Sequence, residues 1–138
     1  MTQTIDPAMI ARMAELTVRI GLNLQEGQNL ILSANVEALP LVRQVVAAAY
    51  RAGAGHVSTM LSDDQVTLAR YENANDASFD VAPNWLYNGM AAAYADGTAR
   101  LAILSENPML LAQQDSAKVS RAGKANSKAY KPAGQHIS

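Results

Sequence analysis

Apolar residues follow two rhythms along the chain, a helical spacing of three and four and short unbroken runs. Met9, Ile10, Met13, Leu16, Thr17 and Ile20 keep the helical spacing and form one apolar stripe. Asp6-Pro7 announces that helix, an N-cap acceptor followed by proline at the first helical position, and Gly21 is placed to end it in a left-handed cap. Leu22 to Gln28 reads as a loop turning at Gly27, and Asn29-Leu30-Ile31-Leu32-Ser33 as a buried strand. Pro40 falls in the first turn of a second helix, with Leu41, Val42, Val45, Val46, Ala49 and Tyr50 on its apolar side and Gly53 as its stop. His56 to Leu61 is a β-branched second strand, after which Ser62 or Asp63 caps a helix running to about Tyr71. Asn73 to Asp80 reads as irregular. Helix resumes near Pro83, carries Trp85, Leu86, Met90 and Tyr94, and breaks at Gly97. Ala99 to Leu104 is the third strand, and Pro108 or Ser116 starts the last helices, which end before Pro132.

Strands alternating with helices predict βαβ units and hence an α/β fold: a three-layer arrangement, a mostly parallel sheet with flanking helices and right-handed crossovers. The 138 residues fit one small domain, read here as 1–132, with 133–138 as the start of a connection. Three strands are few for a buried parallel sheet, and 26 Ala favour helix while burying little area each. The end, Gly134-Gln135-His136-Ile137-Ser138, reads as the approach to a further strand. The chain therefore looks like part of something larger.

Composition narrows the classes. A hydrophobic fraction of 49% argues against a disordered chain. No stretch approaches the ~18 uninterrupted apolar residues of a membrane span, and the first residues lack the basic start and apolar run of a signal peptide. Cys is absent, which excludes disulfides, Cys-ligated zinc and thiol chemistry. A cytoplasmic protein without a membrane partner is the expectation. Charge is uneven: residues 1–114 hold six Arg against eleven acids, and residues 115–138 hold five basic residues against Asp115. Lys118, Arg121, Lys124, Lys128 and Lys131 recur at helical spacing along one face. Such a stripe suits a phosphate backbone, but no aromatic residues interleave for base stacking, and a solvated or acid-covered face is the commoner use. No nucleic-acid partner is expected.

Candidate chemistry is sparse. His56 and His136 are eighty positions apart with no local ligand pair, so His56 reads as structural, and His136 joins a site only if further sequence completes it. Asp63-Asp64 follows the second strand at the carboxyl end of the sheet, where open α/β folds bind ligands. Paired carboxylates there suit metal or acid–base work, but a helix N-cap with a favourable charge at the positive end of the helix dipole is the commoner use. Glu37 holds the matching place after the first strand, so Glu37 and Asp63 would share a crevice if functional. Gly53-Ala54-Gly55 lies after a helix and before a strand, the reverse of a dinucleotide loop. Ser33, Ser58, Ser62 and Ser105 lack a nucleophile-elbow context. No catalytic, cofactor-binding or metal-ligating residue is assigned to this chain.

The segment Glu15-Leu16-Thr17-Val18-Arg19-Ile20-Gly21-Leu22-Asn23-Leu24-Gln25-Glu26-Gly27-Gln28 resembles the opening of the thermophilic-type metallo-aminopeptidases, the aminopeptidase T and aminopeptidase S family. Val36 to Arg43, Ala49 to Ala54, Ser62-Asp63-Asp64 and Pro83-Asn84-Trp85-Leu86 resemble later segments in the same order, from about Met9 to Pro132. The resemblance implies a longer parent: an N-terminal α/β domain followed by a catalytic domain holding two divalent metals, zinc, cobalt or similar. Carboxylates and histidines beyond residue 138 would ligate them, and the metals would activate water and polarise the first peptide carbonyl. The N-terminal domain would shape the entrance and shield the site from water. On this reading the 138-residue chain is inactive alone, its partners being the absent catalytic domain and, in the parent, a peptide. Apolar surface left uncovered makes a homodimer an expectation. The rival expectation is a stand-alone binding module using the crevice near Glu37 and Asp63.

Overall fold

In the computed structural model, residues 6–104 and 109–134 are described. Along them run α1 (Pro7–Leu16), β1 (Leu30–Asn35), α2 (Leu39–Arg51), β2 (Val57–Ser62), α3 (Asp64–Asn73), α4 (Asn84–Ala95), β3 (Ala99–Ile103) and α5 (Ser116–Gly134). The strands form one parallel sheet in the order β2-β1-β3, with Leu30 opposite Val57 and Ala99. The fold is therefore α/β, a parallel sheet with flanking helices. The chain divides into two compact units, Met1–Ser62 with Thr98–Ser105, and Asp63–Gly97 with Glu106–Ser138.

The first unit contains the sheet. Side chains alternate across a strand, so Leu30, Leu32 and Ala34 of β1 share a face and join Val42, Val45, Ala48 and Ala49 of α2 in one core. Ala14 of α1 and Val18, in the π-helical turn Thr17–Gly21 that prolongs it, complete this core. Here the structure corrects the apolar stripe. Met9, Met13, Leu16 and Ile20 point outward, while Ala14 and Val18 are buried. The small side chains on α1 and at Ala48 and Ala49 let the two helices approach closely. Glu15 fastens them by accepting from Arg51 Nη2 at 2.6 Å, and it also accepts from Arg19 Nε at 2.9 Å. Gly21 is not the left-handed cap; the π turn carries the chain past it and Asn23 takes the positive φ of 49°. Tyr50, expected on the apolar side of α2, is half-exposed and its hydroxyl accepts from the Val57 N–H at 3.0 Å.

In the second unit the stretch expected to be irregular contains a 3-10 turn, Asp76–Asp80, whose Phe79 is fully buried. The Phe79 ring lies 5.2 Å from that of Tyr71, with the Arg70 guanidinium at 5.4 Å and Lys118 Nζ at 5.3 Å from its centroid. α4 and α5 pack together, with Tyr87 edge-on to Tyr130 at 5.6 Å. Trp85 lies outside any core, 77% exposed. α5 does not stop before Pro132 but continues to Gly134. A proline this close to a helix end removes only the bond to Lys128, and the burial of Ala133 holds the last residues in register. Pro108 and residues 135–138 lie outside the described residues.

Candidate functional site

At the amino ends of the strands, glycines and one asparagine close the backbone. Gly27 N–H donates to Gly53 O at 2.7 Å and Gly55 N–H to Gln28 O at 2.9 Å. Asn29 Oδ1 accepts from the His56 N–H at 3.0 Å, and Asn29 O accepts from Ala99 N–H at 2.9 Å, so one residue ties β1 to both neighbours. A Cβ on Gly55 would stand 2.5 Å from Asn29 Oδ1 and 2.7 Å from Gly27 O. Gly53-Ala54-Gly55 thus serves close backbone approach, and no phosphate cradle is formed there. The His56 ring is exposed, with Nδ1 3.4 Å from Ser58 Oγ.

The carboxyl ends hold the other candidates. Asn35 is buried at the end of β1, and its Oδ1 accepts from the Glu37 N–H at 3.0 Å, opening the 3-10 turn Val36–Ala38. Asp63 caps α3, its Oδ1 accepting from Gln65 N–H at 2.9 Å, and Asp64 falls in the first turn of that helix. Capping and the favourable charge at a helix start account for this pair. His136 and Ser105 lie outside the described residues.

The densest charge cluster in the second unit was not legible in the sequence. Arg121 of α5 donates from Nε and Nη2 to the Asp80 carboxylate at 2.9 and 2.6 Å, and from Nη1 to Asp76 Oδ1 at 2.8 Å. These hydrogen bonds hold Asp76 and Asp80 below the ordinary carboxylate range and raise Arg121. Arg121 is thus committed inside its unit, and Lys118 stands over Phe79, which breaks the basic stripe at two of its five members. No sequence-local signal announced the cluster, because its partners are 41 and 45 residues apart. Beside it lie a groove of about 520 Å³ lined by Val66, Arg70, Tyr71, Leu111, Val119 and Gly123, and one of about 390 Å³ that includes Asn84, Asn88 and Lys128.

A family model described as Thermophilic metalloprotease (M29) matches residues 7–138. The chain belongs to this metalloprotease family. It is 43% identical over 124 residues to aminopeptidase T of Thermus thermophilus, covering 90% of this chain and 30% of that relative. It is 34% identical to aminopeptidase AmpS of Bacillus subtilis, again covering 90% of this chain and 30% of the relative. The solved structure of wild-type AmpT from Thermus thermophilus matches with a TM-score of 0.89 and 42% identity, over 93% of this chain and 32% of that one. The chain thus spans about a third or less of the length of these proteins.

Membership in a metalloprotease family implies metal ions, and the described residues do not fit one. Among them, no group of three or more His, Asp or Glu stands where it could hold a metal. The carboxylates that do converge, Asp76 and Asp80, are taken by Arg121. Also among the described residues, no helix is long and apolar enough to cross a membrane.

Proposed function

We propose that this chain is the N-terminal α/β domain of a cytoplasmic, metal-dependent aminopeptidase that removes N-terminal residues from peptides. The observation that carries the reading is the family match over residues 7–138 together with relatives named as aminopeptidases. In this reading residues 1–132 are the domain and 133–138 begin the connection to a catalytic domain supplying the ligands for two divalent ions. The chain contributes no catalytic, cofactor-binding or metal-ligating residue; it borders the entrance through which the peptide arrives. It is inactive alone, and the apolar side chains left at its surface support self-association of the isolated chain.

The test is release of an N-terminal amino acid from a chromogenic aminoacyl substrate. The purified 138-residue chain releases none with or without zinc or cobalt. A longer native species containing these residues releases it, loses that activity to a chelator and regains it with either ion. Metal-dependent release by the 138-residue chain itself overturns the proposal, as does a native species of 14.7 kDa.

A further inference from the structure

α3 buries none of its residues, and between it and α5 the groove of about 520 Å³ stays open. Val66, Leu111 and Val119 make its walls apolar. A Cβ on Gly123 would meet no atom within 4 Å, so the space beside α5 is unfilled. The volume is that of a small-ligand site, and such sites pair an apolar lining with a few placed polar groups. Arg70 is the one charged residue in the lining. Its Nε donates to Ser78 Oγ at 3.3 Å and its Nη2 to Ser78 O at 2.5 Å and Val81 O at 3.2 Å, with the guanidinium over the Phe79 ring. These bonds fix the guanidinium plane and leave Nη1 with no hydrogen bond among the described residues. The Tyr71 hydroxyl and the Asn126 amide, also in the lining, make none either.

We propose that this groove binds the carboxyl-terminal residue of a peptide, its carboxylate on Arg70 Nη1, its apolar side chain among Val66, Leu111 and Val119, and its amide on Tyr71 and Asn126. Charge selects the carboxylate. Arg70 and Lys118 flank Phe79 and Arg121 holds Asp76 and Asp80, so three cations stand against two carboxylates. No acid lines the groove: Asp115 caps α5 by accepting from the Ala117 N–H, and Glu72 is exposed. A guanidinium already held in place gives up little freedom on taking an anion, and a charge-assisted bond is stronger than a neutral one. The same absence of acids selects a peptide end over a free amino acid. The ammonium of a free amino acid would enter the groove without a partner, whereas in a peptide that nitrogen is a neutral amide. On the peptidase reading this is the end of the peptide opposite the one cleaved, and the binding itself does not depend on that reading.

Titration of the 138-residue chain with N-acetylphenylalanine, followed by amide NMR shifts, tests this. Saturable shifts are expected at Val66, Tyr71, Val119 and Gly123, with a Kd on the order of 1 mM for so small a ligand. N-acetylphenylalanine amide, which lacks the charge, and phenylalanine, which keeps its ammonium, each bind about tenfold or more weakly. Gly123→Leu fills the groove from a position with open space and weakens binding about tenfold or more. Tyr71→Phe keeps the ring beside Phe79, removes the hydroxyl and weakens binding about two- to fivefold. The amide spectrum of each variant checks that the fold is kept. Equal binding of the uncharged amide overturns the proposal, because the carboxylate is then not recognised, and equal binding of phenylalanine overturns the choice of a peptide end. Shifts that Gly123→Leu leaves unchanged put the ligand elsewhere, and no saturable shift up to about 20 mM means no site; either result overturns the proposal as well.

Discussion

In the unit that carries the sheet, apolar packing is spread over many side chains: Leu30, Leu32, Val18 and Val45 are all fully buried and share one core. In the helical unit, Phe79 is the one large side chain among the described residues with that degree of burial. α3 buries none of its residues and α5 buries only Ala122, Ala129 and Ala133. Around Phe79 stand Arg70 and Lys118, and on either side of it in the chain Asp76 and Asp80 hold Arg121. A parallel strand buried on both faces recruits core residues at every step, whereas alanine-rich helices contribute little area each. The helical unit therefore leans most heavily on one aromatic ring and the cations that surround it, with Met90 and Tyr94 of α4 as its other large buried side chains among the described residues.

The largest expected effect follows directly. Phe79→Ala leaves a ring-sized cavity and costs about 3–5 kcal/mol, while Leu32→Ala costs about 2–5 kcal/mol with neighbours available to close in. Urea unfolding gives the magnitudes, and hydrogen exchange in each unit shows where protection is lost. If Phe79→Ala falls well below Leu32→Ala, and amides of Asp76–Asp80 stay protected, the reliance on one ring is wrong.

A smaller effect is expected at the rim of the sheet. Gly55→Ala forces a Cβ to within 2.5 Å of Asn29 Oδ1 and 2.7 Å of a backbone carbonyl, so the backbone must move. The expected loss is about 1–3 kcal/mol, with the His56 and Ala99 amides, both bound to Asn29, losing protection first. An unchanged stability would show that the turn at Gly27 yields freely, and that the sheet is less tightly tied at its amino ends than in its core.

Much of the sheet was legible because it depends on local signals. Asp6-Pro7, Pro40, the apolar runs at Leu30 and Val57, and the positive φ at Gly53 and Gly97 each act within a few residues. The same local logic placed Asp63 as a cap. It failed where two surfaces compete for one helix. The stripe of Met9, Met13, Leu16 and Ile20 is more hydrophobic than Ala14 and Val18, yet close helix packing selects the smaller side chains for the inside. It failed again at Phe79 and Arg121, whose partners come from distant parts of the chain. Of the candidate residues, Asp63 was legible as a cap, whereas at the end of β1 the capping bond is made by Asn35, which accepts from the Glu37 N–H, and not by Glu37 itself.

The smallest expected effect, and the sharpest contrast between the units, is its dependence on pH. Asp76 and Asp80 are held below the ordinary carboxylate range first of all by hydrogen bonds from Arg121. A carboxyl lowered in the folded state stabilises the fold above its unfolded value, and that contribution disappears as pH falls through the lowered native value. The difference in stability between the native chain and Arg121→Gln should therefore be constant through neutral pH, shrink below about pH 4, and vanish once both carboxyls are protonated. Salt should shrink it as well, because both acids are exposed. Leu32→Ala, by contrast, should show the same deficit at every pH at which the chain folds, since it removes only apolar contacts. If Arg121→Gln keeps its full deficit in acid, the Arg121 stem acts by packing against the 3-10 turn, and the helical unit is held by apolar contact like the sheet.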